Sequence, residues 1–315
     1  MSVEPTRKNG RPGAALATAP ASVFDVGAAR RAPSSRRGLA RAFFAQPLPA
    51  LATAYIALIG FIALWVWIFN PLQPNALDLS YVLQGPSPSH IFGTDQLGRD
   101  VFSRMLHATL ISVEGTLEGV GVVVALGLLP ALVAGYFGGR IDAVLVRVAD
   151  AFIVFPGIIL AIAVVGILGP SLAHAMLAVG IVAWPGLFRV VRGTVFQVRE
   201  EAYVAAARTM GASHWYIITH QILPVVLTPL FVNLALVASV MLLAEAGLSF
   251  IGLGIQPPYA SWGSMISDGE RFLGVQPWLA VFPGIAITLA ALSFNTISDG
   301  LSRAYTRRGL SAPDA

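Results

Sequence analysis

Five stretches of this 315-residue chain contain no Asp, Glu, Lys or Arg: residues 42–77, 119–139, 151–188, 209–244 and 272–298. Each exceeds the ~20 residues that cross the hydrocarbon core of a bilayer as a helix. Charged residues make up 11% of the chain, against roughly a quarter in an ordinary soluble domain. The expected fold is therefore an all-α, polytopic membrane protein.

Composition removes several chemistries. Without cysteine the chain has no disulfide framework, thiolate metal site, thiol nucleophile or iron–sulfur cluster. Its single lysine, Lys8, is followed by Asn9, whereas the phosphate-binding loop G-x-x-x-x-G-K-[ST] needs Lys followed by Ser or Thr. The chain cannot bind ATP through such a loop. A net charge of +4 raises the question of nucleic acid, but the basic residues follow the membrane topology. A lipid bilayer, and no nucleic acid, is the expected partner.

Residues 1–46 are rich in Ala, Arg, Pro and Ser, hold eight cations from Arg7 to Arg41 and show no periodic apolar face. They are expected to be a disordered cytoplasmic tail rather than a cleaved signal peptide. Residues 47–108 comprise a first span at about 50–69, closed by Asn70-Pro71, and a polar outer segment. Residues 109–308 hold the remaining spans, and 309–315 form a C-terminal tail. The second span, about 116–137, stops at Gly138-Gly139-Arg140. The third and fourth, about 145–168 and 171–190, are separated by the turn Gly169-Pro170-Ser171. The fifth occupies about 225–246 and the sixth about 278–298. With the N-terminus inside, 17 of the 20 Lys and Arg fall in inner segments, and Arg99, Arg104 and Arg271 fall outside. The excess of inner cations predicts a multi-pass inner or plasma membrane protein with both termini cytoplasmic.

The longest inner loop, 192–223, is structured rather than merely polar. Tyr203, Ala206, Ala207 and Met210 recur at spacings of three and four, which places them on one helical face ending at Gly211. Ser213 is a candidate N-cap for a second short helix running towards Gln221, before Leu223-Pro224 opens the fifth span. The prediction is a small helical hairpin between two spans. It could be a plain surface connection, but Ala205-Ala206-Ala207 would let another protein approach closely.

The string from Glu201 to Ser213, closed by Ile222-Leu223-Pro224, resembles the coupling loop of binding-protein-dependent ABC importer permeases. That loop carries Glu-Ala-Ala, three residues, Gly, nine residues and Ile-x-Leu-Pro. Ala206, Ala207, Gly211, Leu223 and Pro224 match it, while Ala205 stands at the glutamate position and Gln221 at the isoleucine. Glu200 and Glu201, about one turn earlier, are candidates to replace the missing carboxylate. Three further stretches resemble the C-type permease of dipeptide, oligopeptide and nickel importers: Phe92 to Arg104; Ala134 to Asp142 with Arg147, Asp150 and Pro156; and Glu245 to Gly254 with Pro257-Pro258 and Trp262-Gly263. The likeness covers about residues 90–308.

The resemblance implies a permease subunit without an ATPase site of its own, importing di- or oligopeptides. Nickel or another small solute is the alternative cargo. It further implies a second permease subunit in a heterodimer, an extracytoplasmic solute-binding protein, and two ABC ATPase subunits that hold the ATP and Mg. The coupling residues would be Glu200, Glu201, Tyr203, Ala205, Ala206, Ala207, Met210, Gly211, Leu223 and Pro224. No cofactor is expected in this chain.

Charges near the membrane suggest a path. Glu114 and Glu118, four apart on one helical face, either line an aqueous route and attract a cationic group or stand in water at the outer interface. Glu245 either faces the path or pairs with an outer group such as Arg99. Arg147 and Asp150, three apart, are expected to form a structural ion pair. No histidine pair has the i, i+4 spacing of a helical metal site, and Trp65, Trp67, Trp184 and Trp278 fall near span ends as interfacial anchors. The Gly/Pro-rich loop 249–277 is either a re-entrant cap or a simple connection. An ion-coupled secondary transporter remains a more distant reading, weakened by the nearly charge-free mid-span regions.

Overall fold

The computed structural model describes residues 43–70, 72–154 and 156–310, with side chains to residue 305. Of the expected tails at 1–46 and 309–315, residues 1–42 and 311–315 lie outside the described residues, as do the proline stop at Pro71 and the side chains of Arg307 and Arg308, while 43–44 and 309–310 are helical. Among the described residues the regular structure is helical, with one isolated antiparallel bridge between Thr94 and Asp100.

Five helices are long and apolar enough to cross a bilayer: α1 (Pro47–Phe69), α2 (Val101–Phe137), α5 (Leu172–Val198), α7 (His214–Phe250) and α9 (Trp278–Leu310), whose qualifying part is Trp278–Tyr305. The expected third span is a bent pair, α3 (Gly139–Val154) and α4 (Gly157–Leu168), turned by 86°. Counting that pair as one crossing gives six. At the break Pro156 opens α4 as its N-cap, with extended backbone.

The helices outrun their apolar windows. α2 starts at Val101 rather than near 116 because Asp100 caps it, its carboxylate accepting the Ser103 N–H at 2.7 Å. α5 continues to Val198, and α7 begins at His214 instead of 225. The separate short helix and fifth span expected on either side of Leu223-Pro224 are thus one continuous helix. A π-helical turn at Ile217–Ile222 precedes the proline and absorbs its missing N–H donor.

α2, α5 and α7 form the main core around Val123, Met176, Leu187, Phe188 and Met241. Glycines on α2 let α5 come close: a Cβ on Gly135 would lie 2.6 Å from the Val195 Cβ. This is the small-residue contact on which membrane helices rely in place of hydrophobic driving force. On the other side of α5, α3 is held by two cross-helix ion pairs. Arg192 grips the Asp142 carboxylate with two nitrogens, and Arg189 binds Asp150 at 2.6 Å. The expected Arg147–Asp150 pair is therefore replaced by a tertiary one, because Asp150 faces α5.

The bundle has two distinct ends. At one, the C-terminus of α2 meets the start of α7. At the other, the end of α1, the start of α2, the segment 72–100 and helix α8 (Trp262–Glu270) pack together. There Asp95 accepts from Arg99 Nε at 2.7 Å and from the backbone N–H groups of Leu97 and Arg99. Gly98 (φ +71°) closes that turn where a Cβ would lie 1.8 Å from the Asp78 carbonyl oxygen. Loop 249–277 is no simple connection, since it contains α8. Ser261 and Ser264 cap that helix reciprocally, and the Trp262 N–H donates to Ser112 Oγ at 3.2 Å.

Candidate functional site

Helix α6 (Ala202–Thr209) follows α5 after a three-residue turn. Its stop is a Schellman closure: Ala212 N–H reaches the Ala207 carbonyl and Gly211 N–H the Arg208 carbonyl, each at 3.0 Å. Gly211 takes φ +81° with open space around its Cβ position, so conformation rather than crowding selects glycine. Ser213 caps α7, its hydroxyl accepting the Tyr216 N–H at 3.2 Å. The hairpin is thus built by the two punctuating residues visible in the sequence.

Its two faces divide the expected coupling residues. Tyr203, Ala205, Ala206, Met210 and Gly211 are exposed, as are Glu200, Glu201 and Pro224. Ala207, 5% exposed, is not on the outer face: it turns inward with Val204 against Val198, Ile217 and Ile222. The spacing gave one stripe, but a narrow α6 splits it between core and surface. Leu223 is half-buried on the same core. Partial desolvation and the nearby Glu201 carboxylate raise the Tyr203 phenol above its ordinary value.

Several anchoring residues escaped the sequence reading. The Tyr136 hydroxyl at the end of α2 bonds His214 Nδ1 at 2.8 Å, and Arg208 lies over the Tyr136 ring. Arg199 donates to the Gly135 carbonyl at 2.9 Å while its guanidinium stacks 3.8 Å from the Phe196 ring centroid. Met210 is 80% exposed and Trp215, five residues on, 72%. Aromatic residues directly after a cap in an inner loop were the available signal for this second contact group.

The three path candidates separate. Glu114 is exposed on α2 and Glu118 is half-buried, with its Oε2 lacking a hydrogen-bond partner. Glu245 is 1% exposed, sealed between α7 and α2 with its Cγ over Gly115, and accepts from Ser249 Oγ at 2.8 Å. It does not pair with Arg99, which is committed to Asp95. Gly115 leaves the room that the Glu245 side chain fills, and its Oε2 has no hydrogen-bond partner among the described residues.

These features define a multi-pass helical membrane protein that carries a buttressed, apolar-tipped hairpin between two spans. The chain belongs to the family described as binding-protein-dependent transport system inner membrane component, whose pattern matches residues 124–309. It is 37% identical over 262 residues to the glutathione transport system permease protein GsiD of Pectobacterium atrosepticum, covering 83% of this chain and 87% of that one. It is 42% identical over 253 residues to the probable D,D-dipeptide transport system permease protein DdpC of Escherichia coli, covering 79% and 85%. It is 38% identical over 251 residues to the nickel transport system permease protein NikC of Escherichia coli, covering 80% and 91%.

Proposed function

We propose that this chain is one of two permease subunits of an ATP-driven importer for di- or oligopeptides delivered by an extracytoplasmic binding protein. The hairpin and both termini face the cytoplasm, in keeping with the 17 to 3 distribution of cations. The ATPase takes the exposed Tyr203, Ala206, Met210 and Trp215 surface into a groove, and Mg and ATP stay with that partner. Nucleotide-driven closure then moves the hairpin and the attached α5 and α7 together. The observation that carries this reading is the division of the hairpin into a buried heel, Val204 and Ala207, and an uncovered apolar tip. A mere connection has no need of three such contacts: Arg199 on the Gly135 carbonyl, Tyr136 on His214, and Arg208 over the Tyr136 ring.

Peptides are favoured over nickel by the relatives named for glutathione and dipeptide transport, with the nickel relative supporting the second reading. Affinity purification followed by reconstitution tests the proposal. The chain is expected to bring down two ATPase subunits and a second permease, and proteoliposomes containing them should accumulate peptide only with ATP and the binding protein. Accumulation driven by an ion gradient, without any ATPase, would refute it; nickel uptake without peptide uptake would replace the cargo.

A further inference from the structure

At the end of the bundle away from the hairpin lies a cavity of about 530 Å³, within the size range of small-molecule sites. Three primary amides, Asn70, Gln73 and Asn75, ring it, and Leu110, Ile111 and Ala260 give it an apolar floor. A primary amide offers one donor group and one acceptor, the same pair a peptide unit requires. Such a lining suits a peptide main chain while tolerating varied side chains.

The charges around the cavity are ordered. Arg104, only 4% exposed, enters it from α2. Its contacts are 3.3 Å to Asn75 Oδ1, 3.6 Å to Asp95 and 3.9 Å to Asp268. All are longer than an optimal charge-assisted bond, so donor capacity remains. His107, also lining the cavity, bonds Asn70 Oδ1 and the Ser103 carbonyl. Along α2 the spacing 107, 111, 114, 118 keeps one face, so Glu114 and Glu118 stand beyond the cavity on the same helix face that His107 and Ile111 present to it. A carboxylate facing lipid is expensive, so that face is expected to look onto water or protein. From His107 to Glu114 the helix rises about 10 Å, roughly the length of three extended residues.

We propose that this chamber is a peptide site within the permease itself: the amides hold the main chain, Arg104 faces the carboxylate end, and Glu114 and Glu118 receive the ammonium end. The proposal rests on the reading above that peptides are the cargo, and it adds a preference for zwitterionic peptides of about three residues.

The test uses the purified transporter complex and a tripeptide bearing a benzophenone side chain, irradiated with and without excess Ala-Ala-Ala. Adducts are expected within 70–76 or 107–118 and should be competed away. Ala76→Trp, at an exposed position on the cavity wall, fills the chamber without touching the core, and Asn75→Ala removes one amide. Each should lower labelling and uptake by roughly tenfold, the worth of one or two such hydrogen bonds. The double variant Glu114→Gln, Glu118→Gln should erase the preference for Ala-Ala-Ala over its N-acetyl form. Labelling elsewhere, or labelling unaffected by Ala76→Trp, overturns the site. So does native mass spectrometry in which the same variant expels a phospholipid while peptide labelling persists, since the chamber then holds a headgroup. Chamber labelling without ATP-driven uptake would instead overturn the importer reading and leave the site standing.

Discussion

Arg199→Met should detach the hairpin without unfolding the bundle. The guanidinium donates to the Gly135 carbonyl at 2.9 Å, one of the carbonyls left without a helical partner at the end of α2. A hydrogen bond from a charged donor contributes about 1.5–3 kcal/mol. The stacked Phe196 ring adds about 0.5–1 kcal/mol. The pair with Glu200, whose side chain is largely exposed, adds close to nothing. These groups share one side chain and do not sum independently, so a local loss of about 2–3 kcal/mol is expected. At 1.4 kcal/mol per factor of ten, the detached population rises roughly 30- to 150-fold. Hydrogen exchange of the amides 200–212 in the reconstituted complex reads that factor directly, and the ATP hydrolysed per peptide imported should rise with it. Arg199→Lys keeps a charge but loses the planar fork, so it should fall between the two. Unchanged exchange in the Met variant would refute the reasoning. So would an equal rise throughout α2 and α5, which would mean general loosening instead of detachment.

Three other outcomes are expected. Ala206→Glu, at an exposed site where folding should shift by no more than about 0.5 kcal/mol, is expected to leave membrane insertion intact and abolish coupled uptake; wild-type transport would remove Ala206 from the docking surface. Gly135→Ala places a methyl 2.6 Å from the Val195 Cβ and should cost about 1–3 kcal/mol through overpacking, seen as a lower melting temperature of the solubilised complex. Glu245→Leu strands the Ser249 hydroxyl in the core and should destabilise by about 1–3 kcal/mol, whereas Glu245→Gln, retaining an acceptor, should lose less than half of that in the same melt.

The number and order of apolar segments were readable because the charge-free runs are long, and the hairpin ends because Gly211 and Ser213 act through local backbone chemistry. What the sequence hid is tertiary. Asp150 looked committed to Arg147 by spacing, yet the nearer cation across space is Arg189. Ala207 sat in the right stripe, but periodicity identifies a face without saying which half of it the core takes. α2 seemed to begin near 116 because Glu114 and Glu118 interrupt the apolar pattern, while the helix itself is set by a cap at Asp100. The chamber residues Asn70, Gln73, Asn75 and Arg104 come from two separated stretches and carry no shared motif.

The joining of hairpin and span into one helix of 37 residues makes α7 a beam about 55 Å long. Pivoted at its middle by 10°, such a beam carries each tip through about 5 Å in opposite directions. His214 and Glu245 stand near those opposite tips, so if the π turn at 217–222 and Pro229 hold straight, a push on the ring that Tyr136 holds would arrive, inverted, at the carboxyl group beneath α8. A beam of that kind would let the two faces of the membrane feel one another without a relay of side chains, as a seesaw does.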